Sequence, residues 1–180
     1  MILKQISMKI LYLISFIFHL PVWPLCYIGY KKHKEVIDVD LHKLNGGGYK
    51  FLIYTLICNK AFRNLFYCRI GKLGTVIELL LREQSSLHIS RGAIIGKGLV
   101  IVHGDSTFIN PRSMGENCYV NQNVTIGVIG DKKPVIGNNV RVATGAIVIG
   151  DITIGDNTTI AAGAVIVKNV PANCLVVGNP

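Results

Sequence analysis

A chain of 180 residues, half of them hydrophobic and 16% charged, is long enough for one sizeable core and too apolar for a disordered or solvating tail. Its net charge of +9 lies mostly in front: residues 1–88 carry twelve Lys and Arg against five Asp and Glu, residues 89–180 seven against five. No nucleic-acid-binding motif accompanies this charge, so an anionic lipid or a phosphorylated ligand is the expected partner and nucleic acid is not.

Residues 10–30 contain no Asp, Glu, Lys or Arg. That length reaches across a hydrocarbon layer, yet Pro21 and Pro24 interrupt a straight helix and His19 sits in its middle. Three readings stand: a membrane-embedded or interfacial segment, a helix packed inside the protein, or a signal peptide, the last lacking a small-x-small cleavage site. Lys4 and Lys9 precede the segment and Lys31, Lys32 and Lys34 follow it, a bias that keeps the rest of the chain cytoplasmic, at the inner face of the membrane. Residues 31–47 are polar and run into Gly46-Gly47-Gly48, an expected flexible break. Helical spacing of Leu52, Leu56, Phe62, Leu65, Phe66 and Arg69 predicts one helix from Tyr49 to Arg69, with a shorter one over Val76–Arg82. Lys60, Arg63 and Arg69 either form a membrane-facing surface with the aromatics or, more simply, belong to a helix packed on the second half. The five cysteines show no CxxC or Cys/His clustering, which argues for buried thiols in a reducing compartment and against a zinc site or disulfides.

The texture changes near residue 88, giving a helical region 1–88 and a second region 89–180. Aliphatic residues recur every six positions: Ile89, Ile95, Ile101; Met114, Val120, Ile126; and Ile136, Val142, Val148, Ile154, Ile160, Ile166. A small residue often follows (Gly96, Gly115, Gly127, Gly137, Ala143, Gly155, Ala161), and another small or β-branched one lies four further on (Val124, Val140, Ala146, Thr158, Ala164). So short a period predicts a β-solenoid, here of about four coils from twelve units, with the recurrent side chain inside. Two places break the period, between Ile101 and Met114 and between Ile126 and Ile136. Extra residues in a solenoid loop outward, where sites are built. The first break holds Val102-His103-Gly104-Asp105, the second Lys132-Lys133-Pro134.

Three stretches carry a family resemblance: Ile94-Ile-Gly-Lys-Gly-Leu-Val-Ile-Val-His-Gly104, Gly115-Glu-Asn-Cys-Tyr-Val-Asn-Gln-Asn-Val-Thr-Ile-Gly127, and the ending from Ile160 to Pro180. They resemble the hexapeptide-repeat acyltransferases, in particular the serine acetyltransferases and their relatives in polysaccharide biosynthesis. The resemblance implies a left-handed parallel β-helix, a homotrimer, and acetyl-CoA between neighbouring solenoids, with no metal. It implies that His103 is the base that takes a hydroxyl proton, a role suited to imidazole near neutral pH. Ala143, Ala161, Ala162 and Gly163 would then lie along the pantetheine arm, Lys168 would meet phosphate, and Asp105 and Lys133 would face the acceptor.

Three matching positions depart from the serine enzymes. The carboxylate that orients their base is here His88, the Asp before the base is Val102, and the histidine of the external loop is Lys133. A zwitterionic amino acid wants paired charges, and Val102 removes one of them. The expected activity is therefore acetyl transfer to a sugar hydroxyl in surface polysaccharide synthesis, with His103 polarised by His88 or a backbone carbonyl. Serine O-acetylation is the alternative, and a non-catalytic trimeric scaffold is the alternative of another class. A nucleotide-sugar N-acetyltransferase would want a Gly-rich strand-to-helix element ahead of residue 89, and there is none.

Overall fold

The computed structural model describes residues 2–178, with side chains from residue 9 onward; Asn179 and Pro180 of the carboxy-terminal motif lie outside the described residues. Helix α1 (Ile2–Phe18) ends just before Pro21, a single 3₁₀ turn covers Leu20–Val22, and α2 (Trp23–Lys32) follows. The axes of the two helices differ by 60°, and no single described helix is long and apolar enough to cross a membrane. Trp23, Cys26, Gly29 and Tyr30 are buried, so one face of α2 packs into the core, while Tyr27 and Ile28 on the other are exposed.

The polar stretch forms α3 (Lys34–His42), which buries Ile37 and Leu41 and is tied to α2 by the Tyr30 hydroxyl donating to Asp38 at 2.7 Å, and the helical run is interrupted at Gly46 and Gly47. The helix expected from Tyr49 to Arg69 is two, α4 (Gly48–Cys58) and α5 (Lys60–Ile70). Asn59 between them has extended backbone, and its side-chain oxygen accepts from the Phe62 N–H at 2.9 Å, the geometry of an N-cap. The last helix, α6 (Lys72–Glu78), lies earlier than the predicted Val76–Arg82. Arg63 and Arg69 point inward, which removes them from any membrane-facing surface; only Lys60 of that trio is exposed.

From Leu87 the chain winds through five coils, one more than the count of sequence units predicts. The first contains β1 (Leu87–Ile89), β2 (Ile94–Ile95) and β3 (Val100–Ile101); the second β4 (Thr107–Ile109), β5 (Ser113–Met114) and β6 (Tyr119–Val120). The third contains β7 (Thr125–Gly127), β8 (Val135–Ile136) and β9 (Arg141–Val142); the fourth β10 (Ile147–Ile149), β11 (Thr153–Ile154) and β12 (Thr159–Ile160). The fifth contains β13 (Val165–Ile166), a bridge from Val170 to Ile154, and β14 (Leu175–Val176). Equivalent strands pair in parallel into three faces, ordered β1-β4-β7-β10-β13, β2-β5-β8-β11 and β3-β6-β9-β12-β14. Val120, Ile126, Val148, Ile154, Ile160 and Ile166 are wholly buried, as the period requires.

The extra coil is made up of three core positions outside the counted units: Ile109 in the first irregularity, and Val170 and Val176 after the last regular unit. Ile109 stands in register with Ile89 and Ile126, so the interval from Ile101 splits into an addition of two residues before Ile109 and a deletion of one after it. The glycines behind the core residues stack in one column, where a Cβ on Gly96 would come within 2.6 Å of Gly115 and one on Gly155 within 2.4 Å of Ala172. Two residues further on at the same corner, Asn139, Asn157 and Asn173, all at positive φ, stack their side-chain amides at 3.0 and 2.9 Å.

The helices are fastened to the first coil. Arg69 pairs with Asp40 at 2.9 Å and donates to the carbonyls of Ile95 and Gly96, while Asp40 also accepts from the Gly98 N–H at 2.6 Å. Burial pushes the Asp40 carboxyl above the usual carboxylate range, against the pull of Arg69. Arg63 donates to the carbonyls of Leu56, Ile57 and Arg82. Not all cysteines are buried: Cys26 and Cys118 are, Cys58 is exposed, and all five are free.

Candidate active site

The corners that lead from the third face to the first form a continuous column. Its members are residues 102–106, 121–123, 143–145 and 161–163, and each coil's backbone holds the next. The Asp105 carbonyl accepts from the Asn123 N–H at 2.8 Å, that of Gln122 from Gly145 at 3.2 Å, and that of Thr144 from Gly163 at 2.9 Å. His103, Asp105, Ala143, Ala161, Ala162 and Gly163 therefore share one edge of the solenoid. With strands about 4.8 Å apart, Ala143 stands about 10 Å below His103 and Ala161 about 14 Å below it. That is the scale of an extended pantetheine arm.

His103 sits in the two-residue addition. It and Gly104 both adopt left-handed backbone, at φ 64 and 72, and Gly104 is buried against Leu87 and Ala61. For a non-glycine residue that conformation costs roughly 1–2 kcal/mol, and the surroundings hold it. The His103 carbonyl accepts from Gln84 Nε2 at 2.9 Å, and the same nitrogen donates to Asp105 Oδ1 at 2.8 Å. Ser86 Oγ donates to that oxygen as well, at 3.2 Å. Gln84 is fixed in turn by buried Asn64 of α5, which accepts from the Gln84 N–H at 2.9 Å and donates to the carbonyls of Gln84 and Leu87 at 3.0 and 2.8 Å. Asn64, Gln84 and Ser86 were not singled out from sequence: they precede the repeats, and neither their type nor their spacing marks them. Asp105, expected to face the acceptor, has its carboxylate engaged in building this loop.

The imidazole of His103 is exposed, and among the described residues it makes no hydrogen bond with His88 and donates none to a backbone carbonyl, the two partners expected to polarise it. The reason lies in the strand register. His88 pairs across the first face with Phe108 of β4, and both side chains point outward, so the rings stack at 4.6 Å and 12°. Lys133 and Lys168 do not join the column. Both lie at the next corner, leading from the first face to the second, with the width of the first face between them and His103. Lys133 donates to Asn110 Oδ1 at 2.9 Å. Its loop is a hairpin closed by Ile129 and Lys132, with Gly130 at φ 65 as the first turn residue.

The profile of the bacterial transferase hexapeptide (six repeats) family matches residues 133–168, inside this solenoid. The chain belongs to the hexapeptide-repeat transferases. Its solenoid is the left-handed parallel β-helix of that family. The serine acetyltransferase of Synechococcus elongatus is 35% identical over 130 residues, covering 69% of this chain and 53% of that protein. That of Staphylococcus epidermidis is 36% identical over 130 residues, covering 69% and 59%. The chain thus spans about half the length of the curated relatives it matches. The crystal structure of Neisseria gonorrhoeae serine acetyltransferase in complex with serine aligns with a TM-score of 0.71 at 24% identity, over 89% of this chain and 72% of that one.

The column fits an acetyl-CoA arm in one physical respect. A Cβ built on Gly163 would meet nothing within 4 Å, so the surface there is open, whereas the glycine column behind the core is closed by backbone. Gly163 is required by its φ of 70 with or without a ligand. Ala161 and Ala162 keep the edge low beside it.

Proposed function

We propose that this hexapeptide-repeat protein is an acetyl-CoA-dependent O-acetyltransferase with His103 as its general base. The observation that carries the proposal is the placement of His103, in a strained and braced loop, at the head of an edge that runs past Asn121-Gln122-Asn123 to the small residues Ala143, Ala161, Ala162 and Gly163. The His103 imidazole takes the proton of the acceptor hydroxyl, and the hydroxyl oxygen bonds to the acetyl carbonyl carbon. The carbon–sulfur bond breaks, and the CoA sulfur leaves with the proton that His103 returns. Ala143, Ala161, Ala162 and Gly163 flank the pantetheine arm.

Serine is the acceptor that the relatives' names support, and it takes precedence over the sugar expected from sequence. A sugar hydroxyl of a surface polysaccharide remains the second reading, favoured by Val102 beside the base, where a carboxylate to hold an amino group is lacking. We propose a homotrimer as the working assembly. The outward side chains of the first face, Phe108, Ile147, Ile149 and Val165, with Val128 and Ile129 of the hairpin, supply an apolar contact surface for neighbouring copies.

The test is CoA release from acetyl-CoA in the presence of serine, free sugars or lipid-linked sugars. Replacing His103 with Ala is expected to lower turnover by about 10²–10⁴-fold with acetyl-CoA binding retained. Turnover within a few-fold of wild type rejects His103 as the base. Acetyl-CoA binding without transfer to any acceptor, in wild type, favours the scaffold.

A further inference from the structure

From Ile10 to Phe18, helix α1 is apolar on both sides. Tyr12, Ser15, Phe16 and His19 face the protein: Tyr12 meets Tyr54 at 5.6 Å, Phe16 stacks on Trp23 at 5.8 Å, and the Phe16 carbonyl accepts from the Trp23 indole at 3.0 Å. At 100° per residue the remaining arc of about 160° holds Ile10, Leu11, Leu13, Ile14, Ile17 and Phe18. Each is at least half exposed, Phe18 by 77%. A helix at a protein–water boundary turns polar residues outward, and one apolar all round is buried or in lipid.

Charge selects the occupant. Residues 1–34 contain five lysines and no Asp or Glu, the first acid being Glu35. Lys9, Lys31 and Lys32 are exposed and make no ion pair among the described residues. The chain bends by 60° between α1 and α2, and α2 turns Trp23, Cys26, Gly29 and Tyr30 into the protein, so the lipid-facing apolar surface is that of α1. An apolar helix lying flat with unpaired lysines at its margins is the pattern of an interfacial anchor for anionic lipid.

We propose that the outward face of α1 docks this protein on an anionic bilayer, entering one leaflet without spanning it, with Lys9, Lys31 and Lys32 against the headgroups. Docking of this kind would place the protein peripherally on the cytoplasmic leaflet and is independent of the chemistry at His103.

The experiment is co-sedimentation of the full chain with vesicles of phosphatidylcholine alone, or of equal parts phosphatidylcholine and phosphatidylglycerol. Binding is expected to the anionic vesicles, to weaken as salt is raised, and to fall by roughly 25-fold when Lys31 and Lys32 become Gln, about fivefold per charge. Ile14→Asp with Ile17→Asp, both on the outward arc, is expected to abolish sedimentation while leaving Tm unchanged. Wild type that stays in the supernatant overturns the proposal, as does the double Asp variant binding like wild type. If wild type forms a larger assembly without vesicles, and the double variant loses it, the face is covered by a second copy and the lipid proposal fails.

Discussion

Asn64→Ala isolates the linkage between the helices and the His103 loop. The side chain is 3% exposed and makes three hydrogen bonds, one accepted from the Gln84 N–H and two donated to the carbonyls of Gln84 and Leu87. At about 1 kcal/mol net for each bond the loss is about 3 kcal/mol, with the buried Leu87 carbonyl taking the largest share because water reaches it least. For a chain of this size that corresponds to a fall in Tm of about 6–12 °C, read by calorimetry at matched protein concentration because assembly also shifts Tm. Gln84→Ala is the companion variant. Its Nε2 bonds to His103 and Asp105 are exposed, so stability is expected to change by no more than about 0.5 kcal/mol. Turnover is expected to fall, because the left-handed loop loses its side-chain brace. A Tm within about 2 °C of wild type for Asn64→Ala refutes the energetic reasoning. Unchanged turnover for Gln84→Ala refutes the claim that this brace positions His103.

Gly155→Ala forces a Cβ to within 2.4 Å of the Ala172 backbone and is expected to cost about 1–3 kcal/mol or more, measured by urea denaturation. Gly163→Ala meets no neighbour, so its cost should stay near the roughly 1–2 kcal/mol of a left-handed residue, and a Gly155→Ala loss smaller than this would contradict the closed packing of the glycine column. Arg69→Met strands the buried Asp40 carboxylate and is expected to destabilise by about 3–5 kcal/mol, with much of the loss recovered when Asp40→Asn is added; no recovery would mean that the arginine acts through its packing alone. In thiol labelling of the native protein at pH 8, Cys58 is expected to react first. Cys26 and Cys118, whose thiols burial pushes up to about 12 and about 11, should label only on unfolding, and early labelling at either would show the core to be open.

The solenoid was legible because its core residue returns at a fixed phase, and that phase survives along the chain from Ile136 to Ile166. Ile109 was not, since two added residues before it and one deleted after it nearly cancel, and Val170 follows Ile166 by only four positions. The repeat also cannot say which of three corners a residue occupies, because all three share one phase of six. Only the interval of eighteen from Ala143 to Ala161 does so, and Lys133 and Lys168 were assigned without it. His103 stood out because it broke the period beside a glycine. The polar groups that support it lie twenty and forty residues upstream, on elements whose packing no local pattern encodes. Asn59 was passed over inside a helical run because an N-cap and a mid-helix asparagine look alike until the backbone is seen.

The buried carboxylate of Asp40, which joins Arg69 to the first coil, gives the solenoid a direction in time. A stack in which each turn touches only its neighbours behaves as a one-dimensional zipper, able to start anywhere that nucleation is easiest. Here only the first turn has a preorganised partner, the guanidinium and helix face that Asp40 orients. Closure is therefore expected to start at the first coil and proceed toward Val176, leaving the end that carries His103 the last to loosen; slowest amide exchange in β1–β3 would bear this out and slowest exchange in β10–β13 would refute it.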